Sequence, residues 1–147
     1  MALTVRPIQA DEYDTAATVA WASFQHLAVQ YQSAQGAAAI AAICSAPEIR
    51  ARDAAGAATW VALVQDTIIG LIQVRGDGHI TLLFVLPELQ SRGVGRALIR
   101  AADAVCPLRS VNASPNSVMA YMRYGFMPIA AQQTSENGIS YQPMQRS

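Results

Sequence analysis

The apolar positions change period along the chain, and each change marks an element. Leu3, Val5 and Pro7-Ile8 alternate as a short first strand. From Tyr13 the period lengthens. Tyr13, Ala17, Ala20, Trp21, Phe24, Leu27, Ala28 and Tyr31 share one face of a helix of about five turns, with Asp11 placed to cap its start. Trp21 and Phe24 are expected in the core, while Gln25, His26 and Gln30 lie off the middle of the apolar face. A second, alanine-rich helix is expected over Ser33 to Ile43, after a break near Gly36. Pro47 ends it or opens a short turn through Arg52, and a loop follows at Asp53-Ala54-Ala55-Gly56. Three runs of strand character then come at short spacing: Thr59 to Gln65, Ile68 to Arg75 and His79 to Val85. The turns Asp66-Thr67 and Gly76-Asp77-Gly78 separate them, which predicts an antiparallel meander.

Beyond Val85 the pattern switches abruptly. Pro87 ends the strand, a polar turn carries Gly93 and Gly95, and Val94, Ala97-Leu98, Ala101 and Val105 then line one face of a helix that stops before Pro107. Arg109 to Ala113 reads as a brief strand, so strand, helix and strand predict a parallel pair. Ser114 as N-cap and Pro115 at the first helical position open a last helix, which runs through Tyr124 to a C′ glycine at Gly125. Phe126 to Gln132 and Ile139 to Met144 close the chain as two strands around Asn137-Gly138.

The Gly93/Gly95 turn is the place where this pattern implies chemistry. Glycine allows a tight turn and leaves no Cβ between the backbone N–H groups and a ligand, and the helix start adds unpaired donors and a positive dipole end, which suits a phosphate. Two familiar phosphate loops fit badly. A dinucleotide fingerprint wants a third glycine where Leu98 stands and an acid near Val111 to Pro115, and a P-loop wants a lysine, of which the chain has none.

Composition narrows the field. At 147 residues the expectation is a single domain over 1–147 with a substantial core. A 52% hydrophobic content with 14% charge excludes a disordered chain. Ten basic and ten acidic residues balance, with no basic run, so neither nucleic acid nor an anionic membrane is an expected partner. No basic flank precedes an apolar segment at the N-terminus, which reads as cytoplasmic. Cys44 and Cys106 read as reduced buried thiols, and two distant histidines give no support to a metal site.

Val85-Leu86-Pro87 followed by Gln90-Ser91-Arg92-Gly93-Val94-Gly95 resembles the acetyl-coenzyme A loop of the GNAT acetyltransferase superfamily, Gln/Arg-x-x-Gly-x-Gly/Ala after a strand ending in Val-x-Pro. Tyr121 four residues before Gly125-Phe126 resembles that family's second signature. There are departures: Ser114 stands where the family commonly has asparagine, with Asn116 close by, Met122-Arg123 replaces the usual Glu-Lys, and Leu82 occupies a position that many members give to an acid.

The resemblance implies an α/β fold with a mixed, mostly antiparallel sheet whose single parallel pair splays open, flanked by helices. It further implies acetyl transfer from acetyl-coenzyme A to a primary amine of a small molecule or peptide. Backbone groups near Phe84 and Val85 are then expected to bind the pantetheine arm, amides from Ser91 to Arg96, Val94 among them, to hold the pyrophosphate, and Arg92 or Arg96 to add charge. Ser114 or Asn116 takes the asparagine's role. The first two helices wall the acceptor pocket, and pairing with a second copy is an open possibility.

Acetyl transfer needs an oxyanion donor, a proton for the departing thiolate and a base. The Val85 N–H is expected to serve the oxyanion, and Tyr121, a phenol of pKa about 10, to be the acid. The base is His79, Asp77 or Glu88, or a water chain ending in backbone carbonyls, with His79 favoured by its ordinary pKa. Arg75 is a candidate for holding a carboxylate on the acceptor. Because an acid is missing at Leu82, a non-catalytic acyl-coenzyme A binding or sensing module is the alternative, and a nucleotide-binding regulatory domain a more distant one.

Overall fold

A computed structural model gives the fold of residues 2–146. The strands are β1 (Leu3–Pro7), β2 (Ala58–Val64), β3 (Thr67–Val74), β4 (His79–Val85), β5 (Ser110–Ala113), β6 (Phe126–Pro128), β7 (Gln133–Thr134) and β8 (Ser140–Arg146). They lie in the order β1-β2-β3-β4-β5-β8-β6, with β7 also on β8. All neighbours are antiparallel except β4 and β5, which run parallel and pair only at His79↔Ser110 and Ile80↔Val111. From Thr81 to Val85, β4 has no partner on that side. The fold class read from the sequence is therefore the observed one, and the splayed parallel pair is its central irregularity.

The helices are α1 (Tyr13–Leu27), α2 (Ala34–Ile43), α3 (Ala46–Ala54), α4 (Val94–Asp103) and α5 (Val118–Arg123). Both faces of the central strands are covered, which is why they read as near-continuous apolar runs. Along β2, Trp60 and Ala62 join the core beneath α4, while Val61 and Leu63 join the core beneath α1 and α3. Gly70 lets α4 sit close to β3: a Cβ there would fall 3.3 Å from Leu98 and 3.4 Å from Val94.

Several local expectations are corrected. Asp11 does not cap α1; the cap position is Glu12, whose carboxylate instead pairs with Arg6 at 2.8 Å and accepts from the Gln9 N–H. The first helix stops at Leu27, and the chain continues through a 3-10 turn over Val29–Tyr31. Gly36 breaks nothing: it lies in the first turn of α2, where its N–H donates to the N-cap Ser33 side chain. Its lack of a side chain serves contact, since a Cβ would come within 2.4 Å of the Gly138 carbonyl.

Asp53 and Ala54 close α3 rather than forming a loop, because Asp53 is held by three donors: Tyr13 Oη at 2.6 Å, Thr59 Oγ1 at 2.9 Å and Gln73 Nε2 at 3.0 Å. The first hairpin turns at Gln65-Asp66, both in left-handed conformation, one residue earlier than expected. The expected strand to Gln132 ends at Pro128, and the last strand starts at Ser140 and runs on to Arg146. Cys44 is buried and Cys106 half-exposed, both free thiols, and burial pushes the Cys44 thiol up to about 12.

Candidate active site

The loop between β4 and α4 follows directly from its residue types. Pro87 opens a 3-10 turn, Ser91 and Gly93 both take left-handed φ (64° and 82°), and Gly93 is the N-cap of α4. Left-handed residues alternating with ordinary ones before a helix start make a concave set of amides. Among the described residues, none of the N–H groups of residues 91–96 donates to a protein acceptor, and the first bond into the helix is Ala97 N–H to Gly93 O. Gln90 has a structural part in this loop, its Nε2 donating to Val85 O at 2.8 Å.

Tyr124 reaches the same helix start. A Cβ on Gly95 would lie 2.6 Å from its hydroxyl, and the Arg96 guanidinium sits 5.4 Å over its ring. Arg96 thus stands at the cavity wall, whereas Arg92 is exposed and does not line it.

The gap between β4 and β5 is a cavity of about 1150 Å³. It crosses the sheet, being lined by α1 and α2 residues on one face and by α4 and α5 residues on the other. The bond from Leu86 N–H to Ile69 O sets the phase of the β3–β4 ladder, with Phe84 opposite Leu71 and Val85 opposite Gly70. Antiparallel pairs alternate, so Phe84 spends its N–H and C=O on β3, while Leu83 and Val85 turn theirs to the gap. The Val85 N–H, singled out in reading the sequence, thus faces the gap. Leu83 is the gap-facing residue that reading missed, although period-two counting back from Val85 reaches it. Phe84 contributes only its side chain to the cavity wall.

Tyr121 is 6% exposed, packed edge-to-face against Tyr124 (6.0 Å) and Phe126 (5.8 Å), and lines the cavity. Its hydroxyl makes no hydrogen bond with the protein, and no buried side-chain polar atom is left sealed without a partner among the described residues. The hydroxyl thus opens on the cavity. Burial, and then the nearby Tyr124, push its pKa above that of a free phenol, so it is a proton donor at neutral pH.

His79 stands at the foot of the gap, half-buried, with Nδ1 2.7 Å from Ser110 Oγ. Burial chiefly, aided by Arg75 and opposed by Asp77, holds its pKa below the ordinary value, leaving the imidazole neutral. It lies six residues from Val85, about 20 Å along the strand, and four from Leu83, about 13 Å.

The other base candidates lie elsewhere. Asp77 forks onto Arg75 at 2.9 and 2.7 Å, which holds its carboxyl at about 2 and fills the guanidinium proposed for an acceptor carboxylate. Glu88 does not line the cavity, and Leu82 is 5% exposed within the core beneath α1. No Asp or Glu lines the cavity among the described residues; Arg75, Arg96 and Arg123 do. Ser114 Oγ pairs with Ser117 Oγ at 2.9 Å, whereas the exposed Asn116 amide makes no bond within the protein and faces the cavity. No three His, Cys, Asp or Glu side chains converge as metal ligands, and no helix is long and apolar enough to cross a membrane, among the described residues.

Comparison with known proteins agrees with this geometry. A family profile described as an acetyltransferase (GNAT) domain matches residues 28–147. A peptidyl-lysine N-acetyltransferase, YjaB of Salmonella typhimurium, is 27% identical over 86 residues, which is 56% of this chain and 59% of that protein. A GCN5-related N-acetyltransferase from Rhodopseudomonas palustris superposes with a TM-score of 0.84 at 23% identity over 100% of this chain and 98% of the other. The PaiA N-acetyltransferase of Thermoplasma acidophilum, solved with coenzyme A, gives 0.78 at 18% identity, covering 100% and 99%. The match spans less than two thirds of the curated relative's length, and the structural likenesses speak for the fold. With the profile covering most of its length, the chain belongs to the GNAT acetyltransferase family.

Proposed function

We propose that the protein transfers the acetyl group of acetyl-coenzyme A to a primary amine by direct attack in a ternary complex. The observation that carries this reading is the unpaired stretch of β4: the gap-facing Leu83 N–H and C=O and the Val85 N–H need partners, the Val85 C=O being held by Gln90, and an extended pantetheine arm supplies them as an added strand does. The amides of residues 91–96 then take the pyrophosphate, with Arg96 at the edge and Asn116 beside the arm.

In the reaction, the amine nitrogen bonds to the thioester carbon as the carbonyl π pair moves to oxygen, and the Val85 or Leu83 N–H donates a hydrogen bond to that oxyanion. Collapse of the intermediate breaks the C–S bond, and the thiolate takes the Tyr121 proton. Before attack the bound ammonium gives one proton to neutral His79 through cavity water, since the strand spacing is too long for direct transfer, and the proton left on nitrogen after attack passes by the same water to the Tyr121 phenolate. His79 then returns to its starting state by exchange with solvent, and the products are an amide and coenzyme A.

The alternative, an acyl-coenzyme A sensor, draws on the lack of any carboxylate lining the cavity among the described residues. Thiol release from acetyl-coenzyme A with a panel of amines separates the two. Amine-dependent release is expected, and Tyr121→Phe should lower it tenfold or more while leaving acetyl-coenzyme A affinity nearly unchanged; binding without amine-dependent release in the wild type would establish the sensor.

A further inference from the structure

The two ends of the cavity differ in chemistry. One meets the amides of α4 and Arg96. The other runs beneath α1 and α2, between Phe24, Leu27, Ile40 and Ile43. Over that end, the segment joining α1 to α2 meets the turn before β8. Gln32 Nε2 donates to Ser140 O at 2.9 Å while its Oε1 accepts from Ser140 N–H at 2.8 Å, and Ser33 Oγ donates to Gly138 O at 3.3 Å. Gly36 against Gly138 completes the contact. Two segments that line the cavity from opposite sides are thus strapped together across it.

Of the aliphatic hydroxyls that line the cavity without a protein partner, that of Ser23 is the buried one, those of Thr81, Ser91 and Ser140 being more exposed. Ser23 is 3% exposed, makes no hydrogen bond within the protein and lines the cavity. Among the described residues no carboxylate accompanies it, and the charged side chains of the lining are all arginines.

We propose that the acceptor is a monoamine on a compact apolar body, bound beneath the strap with its amine on Ser23 Oγ. The proposal rests on the acetyl-transfer reading and names the substrate class for it. A second ammonium, as in a polyamine, would lose its water with no carboxylate of the described residues to meet it. A lysine on a protein surface would have to bring its backbone under the Gln32–Ser140 contact. A compact apolar body instead exchanges water for Phe24, Leu27 and Ile43.

The test is calorimetric titration of the protein saturated with coenzyme A, so that no turnover is involved. The probes are 2-phenylethylamine, spermidine and a short lysine peptide blocked at its amino terminus. Phenylethylamine is expected to bind at least tenfold tighter than either of the others. Ser23→Ala should weaken it about threefold to tenfold, the worth of one hydrogen bond. Ser23→Asp should move the preference at least tenfold towards spermidine, with circular dichroism confirming that both variants fold. Equal or tighter binding of spermidine or the peptide by the wild type, or binding of none of the three, overturns the proposal. Coenzyme A binding, read in the first titration, and thiol release report separately on acetyl transfer.

Discussion

His79 owes its chemistry to its neighbours rather than to its position in a motif. Burial removes water from the imidazolium, Arg75 adds repulsion, and Asp77 only partly compensates, so its pKa falls below the ordinary value of about 6.5. The neutral form, the one a base needs, is then present throughout the neutral range. If His79 accepts the amine's proton, kcat/KM retains full activity down to about pH 6.5 and falls only below it, as the imidazole becomes charged. The pH–rate profile of His79→Gln is expected to lack that acidic limb; a limb that persists would move the proton to water and backbone carbonyls alone. The same depressed pKa means that the unfolded chain binds the proton more readily, so this residue's contribution to stability is present above about pH 6.5 and is lost as the pH drops. Tyr121 is shifted the other way, which keeps its proton in place at alkaline pH as well.

At the scale of elements, α4 carries the open amides of the cavity and α3 braces α1 and the sheet. Because Gly95 leaves space for the Tyr124 hydroxyl, Gly95→Ala must displace that ring and the Arg96 stacked on it. The expected result is a rise of tenfold or more in the Kd of acetyl-coenzyme A with a much smaller change in Tm, measurable by titration and thermal denaturation. The brace depends on Asp53. Its carboxylate satisfies Tyr13, Thr59 and Gln73, and Gln73, wholly buried, also holds Ile49 O and accepts from Arg52 Nε at 2.6 Å. Asp53→Ala strands those donors and should cost about 2 to 4 kcal/mol in urea denaturation. Loss of less than about 0.5 kcal/mol would show the network to be dispensable. That Asp53 reads as a loop residue in sequence is understandable, since its partners are up to 40 positions away.

For the molecule as a whole, the open seam between β4 and β5 is the weak line of the sheet and, on the proposed reading, its working part. Hydrogen exchange should show it. Phe84 N–H is spent on β3 at all times, whereas those of Leu83 and Val85 gain partners only with ligand, so acetyl-coenzyme A is expected to slow exchange at 83 and 85 at least tenfold more than at 84. Uniform slowing across β4 would argue against an arm lying along this edge. The periods of two and 3.6, the prolines and the glycines were enough to read the meander, the parallel pair and the 91–96 loop, because those features arise between near neighbours in the chain. They were not enough to show that Gly36 fits against Gly138, that Arg75 is occupied by Asp77, or that the backbone of Phe84 faces away from the seam. Local sequence thus determined which stretches make most of the strands and helices and where the glycine turn falls. Which groups face the cavity, and with what charge, was decided only when distant segments packed, since hydrogen-bond phase and desolvation are properties of the neighbours that the fold brings together.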